Sequence, residues 1–223
     1  MTGVRVLVPR AGEWGSRAAT LLRERGAIPV IVPLIAYEPG EAMPEGLARG
    51  DVDWLVVTSA RTVEALGDVA AGTKVVAVGE ATAAALRAAG HAVHFVPHDR
   101  SATGIAHEWP GSADEARVLL PQSDLAHPAL ASALIARGLE VCAVVAYRTV
   151  AVPVAPEGRA RVDWILVTSG SVARQVAAQL APLPPGTRVA CIGERTAAEA
   201  RACGLPVDAV AAEKTLESLI DVL

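Results

Sequence analysis

Cysteine is scarce. The 223-residue chain has only Cys142, Cys191 and Cys203, an odd number with no Cys-x-x-Cys spacing. Cys142 and Cys191 fall in apolar, strand-like runs, which points to buried thiols rather than a disulfide or a metal knuckle. Long apolar runs are missing too. No stretch approaches the ~20 residues of a membrane-spanning helix. The N-terminus lacks the charged-then-apolar pattern of a signal peptide, so the expectation is a soluble, cytoplasmic chain that binds no membrane. Nor is there an excess of positive charge. The formal net charge is −4, with acids and bases scattered, which argues against a nucleic-acid surface. Lysine is almost absent: of 20 basic residues, only Lys74 and Lys214 are not arginine. A GC-rich genome accounts for that bias, and bidentate anion binding by individual arginines is the alternative. Several motifs are absent. Gly12-Glu13-Trp14-Gly15 after the first strand is not a dinucleotide fingerprint. No phosphate-loop sequence occurs, and no Gly-x-Ser-x-Gly elbow. His91, His94 and His98 cluster around a strand without an acidic or cysteine partner spaced to complete a metal shell.

What the chain does have is a repeat. VDWLVVTS at 52–59 returns as VDWILVTS at 162–169. GTKVVAVGEATAAALRAAG at 72–90 returns as GTRVACIGERTAAEARACG at 186–204. More weakly, VRVLVPR at 4–10 matches ARVLLPQ at 116–122. Two similar lobes facing each other would make a cleft, and ligand sites favour such places.

Short runs of Val, Leu and Ile, continuous rather than alternating, predict strands at 4–8, 28–32, 53–57, 74–78, 92–96, 117–120, 139–145, 163–167, 187–192 and 207–210. Continuity is the mark of parallel strands buried on both faces. Helical stretches fit at 14–25, 60–66, 80–89, 102–109, 127–137, 171–180, 194–203 and 215–222. The rhythm is that of an α/β protein with two doubly wound parallel sheets. Two Pro- and Gly-rich segments break it, 33–46 and 146–158, each with an Ala-Tyr pair. They read as interdomain linkers at 37–44 and 147–155 that pair as a ribbon and act as a hinge. One lobe is then 45–146, inserted into a discontinuous lobe made of 1–36 and 156–223.

In open α/β sheets ligands sit at the carboxyl ends of the strands, which selects the candidate site. Thr58-Ser59 and Thr168-Ser169 stand where a buried strand ends and a helix begins, a place with free N–H groups and a positive dipole end. Ser171 lies in the second of these helix starts, and Arg61 in the matching turn of the first. Gly79 and Thr82, then Gly193 and Thr196, repeat the arrangement one strand later. Ser101 follows a further strand. Arg10 ends the first strand, where the second half has the neutral Gln122. N-capping is the alternative for each hydroxyl, and a solvated surface role for Arg10, Arg61, Arg148 and Arg195.

The opening VLVPR, the two TS strand ends, the two GxxTA motifs and the Tyr of Ala146-Tyr147-Arg148-Thr149 together resemble the uroporphyrinogen-III synthase family, over essentially the whole chain. The resemblance implies two flavodoxin-like lobes on a two-stranded linker. It implies a cofactor-free and metal-free lyase acting on hydroxymethylbilane, a linear tetrapyrrole with eight carboxylates. Water is lost through an azafulvene cation and a spiro intermediate, and the macrocycle closes with its last ring inverted. It also implies substrate-binding roles for Thr82 and Thr196, a catalytic role for Tyr147, and a monomer. One departure is that Pro121–His127 lacks an arginine common in relatives. The rival reading is a non-enzymatic two-lobed binding protein for a small anionic ligand, which fold alone does not exclude.

Overall fold

The computed structural model describes residues 1–112, 116–154 and 161–223. In chain order its elements begin with β1 (Arg5–Val8), α1 (Gly12–Glu24), β2 (Ile28–Ile31), β3 (Ile35–Pro39) and α2 (Gly46–Arg49). There follow β4 (Trp54–Val57), a 3-10 helix (Ala60–Ala65), β5 (Lys74–Ala77), α3 (Glu80–Ala88) and α4 (Ala102–His107). Next come β6 (Arg117–Ser123), α5 (Ala129–Ala136) and β7 (Glu140–Ala151). The chain closes with β8 (Trp164–Val167), α6 (Gly170–Leu180), β9 (Arg188–Cys191), α7 (Glu194–Ala202), β10 (Ala209–Val210) and α8 (Leu216–Asp221). Two compact units form: Met1–Ala36 with Val150–Leu223, and Tyr37–Thr149. The last residue of the expected second linker, 155, and the expected lobe start at 156–160 lie outside the described residues.

The discontinuous unit holds a parallel sheet in the order β10-β9-β8-β1-β2. Numbered along its own chain this is the flavodoxin-like order, read from the far edge. The continuous unit holds β3-β7-β6-β4-β5, with the β4–β5, β4–β6 and β6–β7 pairs parallel. Beyond β5, Val76 bridges Phe95 in parallel. So β7, β6, β4, β5 and Phe95 stand where β2, β1, β8, β9 and β10 stand in the other sheet. The second unit is a circular permutation of the first, and the sequence repeat follows the spatial positions rather than the unit boundaries.

Much of the repeat serves the amino ends of the strands. Asp163 Oδ2 accepts from Arg5 N at 2.8 Å, and Asp53 Oδ2 accepts from Arg117 N at 2.7 Å. Thr187 Oγ1 donates to Val162 O at 2.8 Å, and Thr73 Oγ1 to Val52 O at 2.9 Å. The Arg188 guanidinium lies 4.2 Å over the Trp164 ring, and the Lys74 ammonium 5.0 Å over Trp54. These matched bonds fix strand register at both places, which is the physical reason VDW and GT(K/R) recur.

Alternate side chains of each central strand enter opposite cores. In the continuous unit Val56, Val76, Val118 and Leu120 pack with Ile105, Leu130 and Leu134. Leu55, Val57, Val75 and Leu119 pack on the other face with Leu47, Leu66 and Leu86. Each fully buried Leu or Val contributes about 1.5–3 kcal/mol, so two-faced burial demands unbroken apolar strands. In the discontinuous unit Val6, Val8, Leu22, Trp164, Leu166, Leu219 and Ile220 make the corresponding cluster.

Four expectations change. The strand at 92–96 shrinks to the Phe95 bridge, because His94 Nδ1 takes the Val75 N–H at 2.9 Å and displaces the ladder. Asp208 Oδ2 does the same to Val189 N at 2.8 Å, and β10 keeps only two residues. The helix at 60–66 is a 3-10 helix. Cys142 is exposed rather than buried, on the amino-terminal part of β7, where outward-facing residues outnumber buried ones.

Candidate functional site

Each unit gathers its candidates at the carboxyl ends of neighbouring strands. In the continuous unit Thr58 and Ser59 follow β4, and Ser59 Oγ caps the 3-10 helix by accepting from Arg61 N at 3.3 Å. Gly79 follows β5 and opens α3 with extended backbone and no side-chain cap. Thr82, in the first turn of α3, is only 5 % exposed. Ser101 Oγ accepts from Gly104 N at 3.0 Å and donates to Asp99 Oδ2 at 2.8 Å, so its one proton is already committed.

In the discontinuous unit Arg10 follows β1, with its guanidinium 5.3 Å from the Trp14 ring centre. Gly15 permits the close approach of α1 there, since a Cβ would collide with Arg10 O. Ser169 Oγ caps α6 by accepting from Val172 N at 3.3 Å, and Ser171 lies half-buried in the first turn. Of the capping serines, Ser59 and Ser169 keep their own O–H to give. Thr168 Oγ1 is buried without a partner among the described residues. Gly193 opens α7, again with no side-chain cap, and Thr196 is half-buried in its first turn. Glu199 reaches back to α6. Its carboxylate lies against Gly170, 3.3 Å from Arg174 and 3.6 Å from Arg195.

Two cations were not selected from the sequence. The Arg100 stem covers Gly79, its Cβ 3.5 Å from where a Gly79 Cβ would stand. The Lys214 stem covers Gly193 in the same way, with Cγ at 3.3 Å and Cε at 3.5 Å. Both lie 21 residues after the glycine they cover. Each precedes a helix N-cap, Ser101 and Thr215. Lys214 has no ion-pair partner among the described residues. The 21-residue offset is the signal that identifies them. The Arg100 loop is held by Glu108, which accepts from His98 N at 2.8 Å and Asp99 N at 3.0 Å. Those two N–H bonds hold the Glu108 carboxyl below the usual carboxylate range.

Tyr147 lies on β7 beside a pocket of about 570 Å³ lined by Tyr37, Met43, Arg61, Glu64, Ala146 and Tyr147 among others. A bulge places it there: Val145 pairs with Gln122, but Tyr147 pairs with Ser123, so Ala146 is the extra residue. On one side Asp124 N donates to Tyr147 O at 3.1 Å. On the other, just past β3, Gly40 N donates to Ala146 O at 3.1 Å and Glu41 N to Val145 O at 2.6 Å. The Tyr147 ring meets Tyr37 edge to face, with centroids 5.7 Å apart at 80°. Arg61 lies 3.9 Å over the Tyr37 ring and 3.5 Å from Glu64 Oε2. Arg148 and Arg195 are exposed.

Among the described residues no group of three or more His, Cys, Asp or Glu gathers to hold a metal ion, and no helix is long and apolar enough to cross a membrane. The His94 ring is spent on Val75 N.

Known proteins share this architecture. A family described as uroporphyrinogen-III synthase HemD matches residues 16–221. The uroporphyrinogen-III synthase of Synechococcus elongatus is 26 % identical over 248 aligned residues, covering 99 % of this chain and 94 % of that one. Among solved structures, the Helicobacter pylori uroporphyrinogen-III synthetase superposes with a TM-score of 0.69 at 16 % identity, covering 99 % of this chain and 97 % of that one. A mutant uroporphyrinogen III synthase from Thermus thermophilus gives a TM-score of 0.65 at 23 % identity, covering 98 % and 96 %. The flavodoxin-like sheets, the twice-built strand ends and the match along almost the whole length lead to one assignment: the chain belongs to the uroporphyrinogen-III synthase family, enzymes of tetrapyrrole biosynthesis.

Proposed function

We propose that this chain acts on hydroxymethylbilane as a cyclising lyase, releasing water and closing uroporphyrinogen III with the terminal ring inverted. In this reading it works as a cytoplasmic monomer without cofactor. The observation that carries the proposal is the duplicated donor array at equivalent strand ends. Each array has a Thr-Ser strand end, an uncapped helix start on glycine, a first-turn threonine and a covering cation. The members are Thr58, Ser59, Gly79, Thr82 and Arg100 in one unit, and Thr168, Ser169, Gly193, Thr196 and Lys214 in the other, with Ser171 in the first turn of α6 and Arg10 at the end of β1. Helix N–H groups, hydroxyls and cations all favour carboxylates, and the substrate has eight. Ser101 serves the Arg100 loop as a cap.

The chemistry asks mainly for positioning, because hydroxymethylbilane closes unaided to the uninverted isomer. Holding the chain coiled so that the terminal ring is attacked at its substituted carbon is differential binding of a transition state. Tyr147 gives its phenolic proton to the departing hydroxyl as the C–O bond breaks, and water leaves. Arg61, on the wall of the same pocket, faces the substrate beside it.

The test is product analysis. Given hydroxymethylbilane and no cofactor, the chain is expected to yield uroporphyrinogen III well above the spontaneous isomer I. Tyr147→Phe, which keeps the ring and loses the proton, is expected to slow conversion by roughly 10²-fold. Isomer I alone from the unmodified chain would refute the synthase reading and leave a binder.

A further inference from the structure

Tyr37 is one of only two tyrosines in the chain, and the sequence offers it no task beyond that of a linker aromatic. The geometry points to it as the positioning residue for Tyr147. This rests on the reading of Tyr147 as a proton donor.

A phenol that gives a proton must be aimed. The backbone of Tyr147 is aimed by the Ala146 bulge, by Asp124 on one side and by Gly40 and Glu41 on the other. Those bonds do not fix the side-chain torsions. Tyr147 is half-buried, lines an open pocket, and has no hydrogen bond to its hydroxyl among the described residues. The ring contact that restrains it is the edge-to-face pair with Tyr37, centroids 5.7 Å apart at 80°. Aromatic pairs prefer this geometry because a positive ring edge meets a negative ring face.

Tyr37 is fixed in its turn. The Arg61 guanidinium lies 3.9 Å over its ring, inside the ~6 Å range of a cation–π contact. Arg61 is itself held 3.5 Å from Glu64 Oε2. The series Glu64, Arg61, Tyr37, Tyr147 is continuous, lies within one compact unit and lines one pocket. Tyr37 need not touch substrate to act this way. It sets the fraction of time the Tyr147 hydroxyl points where the leaving group departs. A positioning role therefore predicts a loss in kcat with KM nearly unchanged.

The test is a double-mutant cycle with a structural readout. Tyr37→Leu is expected to lower kcat about tenfold, near the upper end of what an aromatic pair is worth, and to leave KM within about twofold. Tyr37→Phe keeps both ring contacts and is expected to restore most of the rate. In a Tyr147→Phe background Tyr37→Leu is expected to have almost no further effect, because there is no proton left to aim. Arg61→Gln, a milder change that leaves the strand intact, is expected to raise KM, because Arg61 also faces the substrate, and to lower kcat in the same non-additive way. With only two tyrosines, ring-labelled tyrosine gives two sets of NMR signals. The Tyr147 set is expected to shift in Tyr37→Leu as the ring current of its neighbour is lost.

Additive losses in the cycle would overturn the inference, since a scaffold residue costs the same with or without the phenol. An unshifted Tyr147 signal would overturn it as well. If Tyr37→Leu misfolds, the kcat values of the Arg61→Gln cycle decide by the same criterion, since a lost substrate contact of Arg61 itself is read in KM. If Tyr147→Phe alone runs at full rate, the proton-donor reading fails first. If Tyr147→Phe is slow while Tyr37→Leu is not, only the role of Tyr37 falls.

Discussion

Gly40→Ala tests how tightly the Tyr147 segment is held. A Cβ at residue 40 would fall well inside the 3.0 Å limit from Val145 O, and the opposing atom is backbone, which cannot rotate aside. The strand must retreat by about 1 Å, since packed interiors leave no slack to absorb the collision. That movement breaks the Gly40 N to Ala146 O and Glu41 N to Val145 O bonds, at 3.1 and 2.6 Å. At about 0.5–1.5 kcal/mol net for each bond, the loss is roughly 1–3 kcal/mol. For a chain of this length that lowers the melting temperature by about 5 °C. Thermal unfolding followed by circular dichroism measures it. Gly72→Ala is the control: nothing lies within 4 Å of its Cβ and its φ is not positive, so a slight gain is expected from a stiffer unfolded chain. A Gly40→Ala variant melting within about 1 °C of the unmodified chain would refute the reasoning, because the close approach of the two backbones would then hold nothing in place.

Other outcomes follow from the same contacts. Thr196→Val is expected to raise KM while costing on the order of 1 kcal/mol or less in stability, since Gly193 rather than Thr196 caps α7; steady-state kinetics on the folded variant checks it. Arg100→Gln and Lys214→Gln are each expected to raise KM about two- to fivefold at low salt and less at high salt, the behaviour of exposed cations meeting carboxylates. Burial pushes the Cys191 thiol up to about 11, so in the native chain at pH 8 a thiol reagent should label exposed Cys142 quickly and Cys191 only after unfolding. The folded-state pKa of Glu108 is lowered by two N–H bonds, so its contribution is fully present above the unfolded value of 4.5 and is lost as the pH falls through the lower folded one. Glu108→Gln should accordingly weaken the chain at neutral pH and flatten its stability loss in acid, as read from urea midpoints across pH.

Most of the fold was legible because two-faced burial leaves a plain trace. Runs such as Leu55–Val57 and Ile165–Val167 contain no polar break, and the Thr-Ser pairs that follow mark where they stop. What escaped was decided by single side chains. Nothing in HAVHF announces that His94 will turn its ring onto Val75 N, or in PVDAV that Asp208 will do likewise, so both outer strands are shorter than their apolar content implies. The run VCAVVAY looks like a strand buried along its length, yet Cys142 is exposed while Val144 and Ala146 are buried, because hydrophobic content does not reveal which part of a strand its neighbours cover. Among the candidate residues, Ser59, Ser101 and Ser169 all cap, as the alternative reading allowed. Arg100 and Lys214 were hidden because the flanking sequences have diverged and only the spacing survives. Tyr37 was hidden because edge-to-face packing has no sequence signature.

The permuted strand order has a consequence for the chain as it is being made. β1 is an interior strand, flanked by β2 and β8. Yet β8 starts at Trp164, after the whole stretch Tyr37–Thr149 has been translated. At about 5–20 residues per second, β1 and β2 wait several seconds or more with one edge of β1 open. The compact unit Tyr37–Thr149 has all its own strands by then and can close first, while the apolar Val6, Leu7 and Val8 stay unpaired on one side. The first of these strands to be made is therefore among the last to be enclosed, and a ribosome stalled just after Thr149 has cleared its exit tunnel would carry one finished unit and one sticky, half-built sheet.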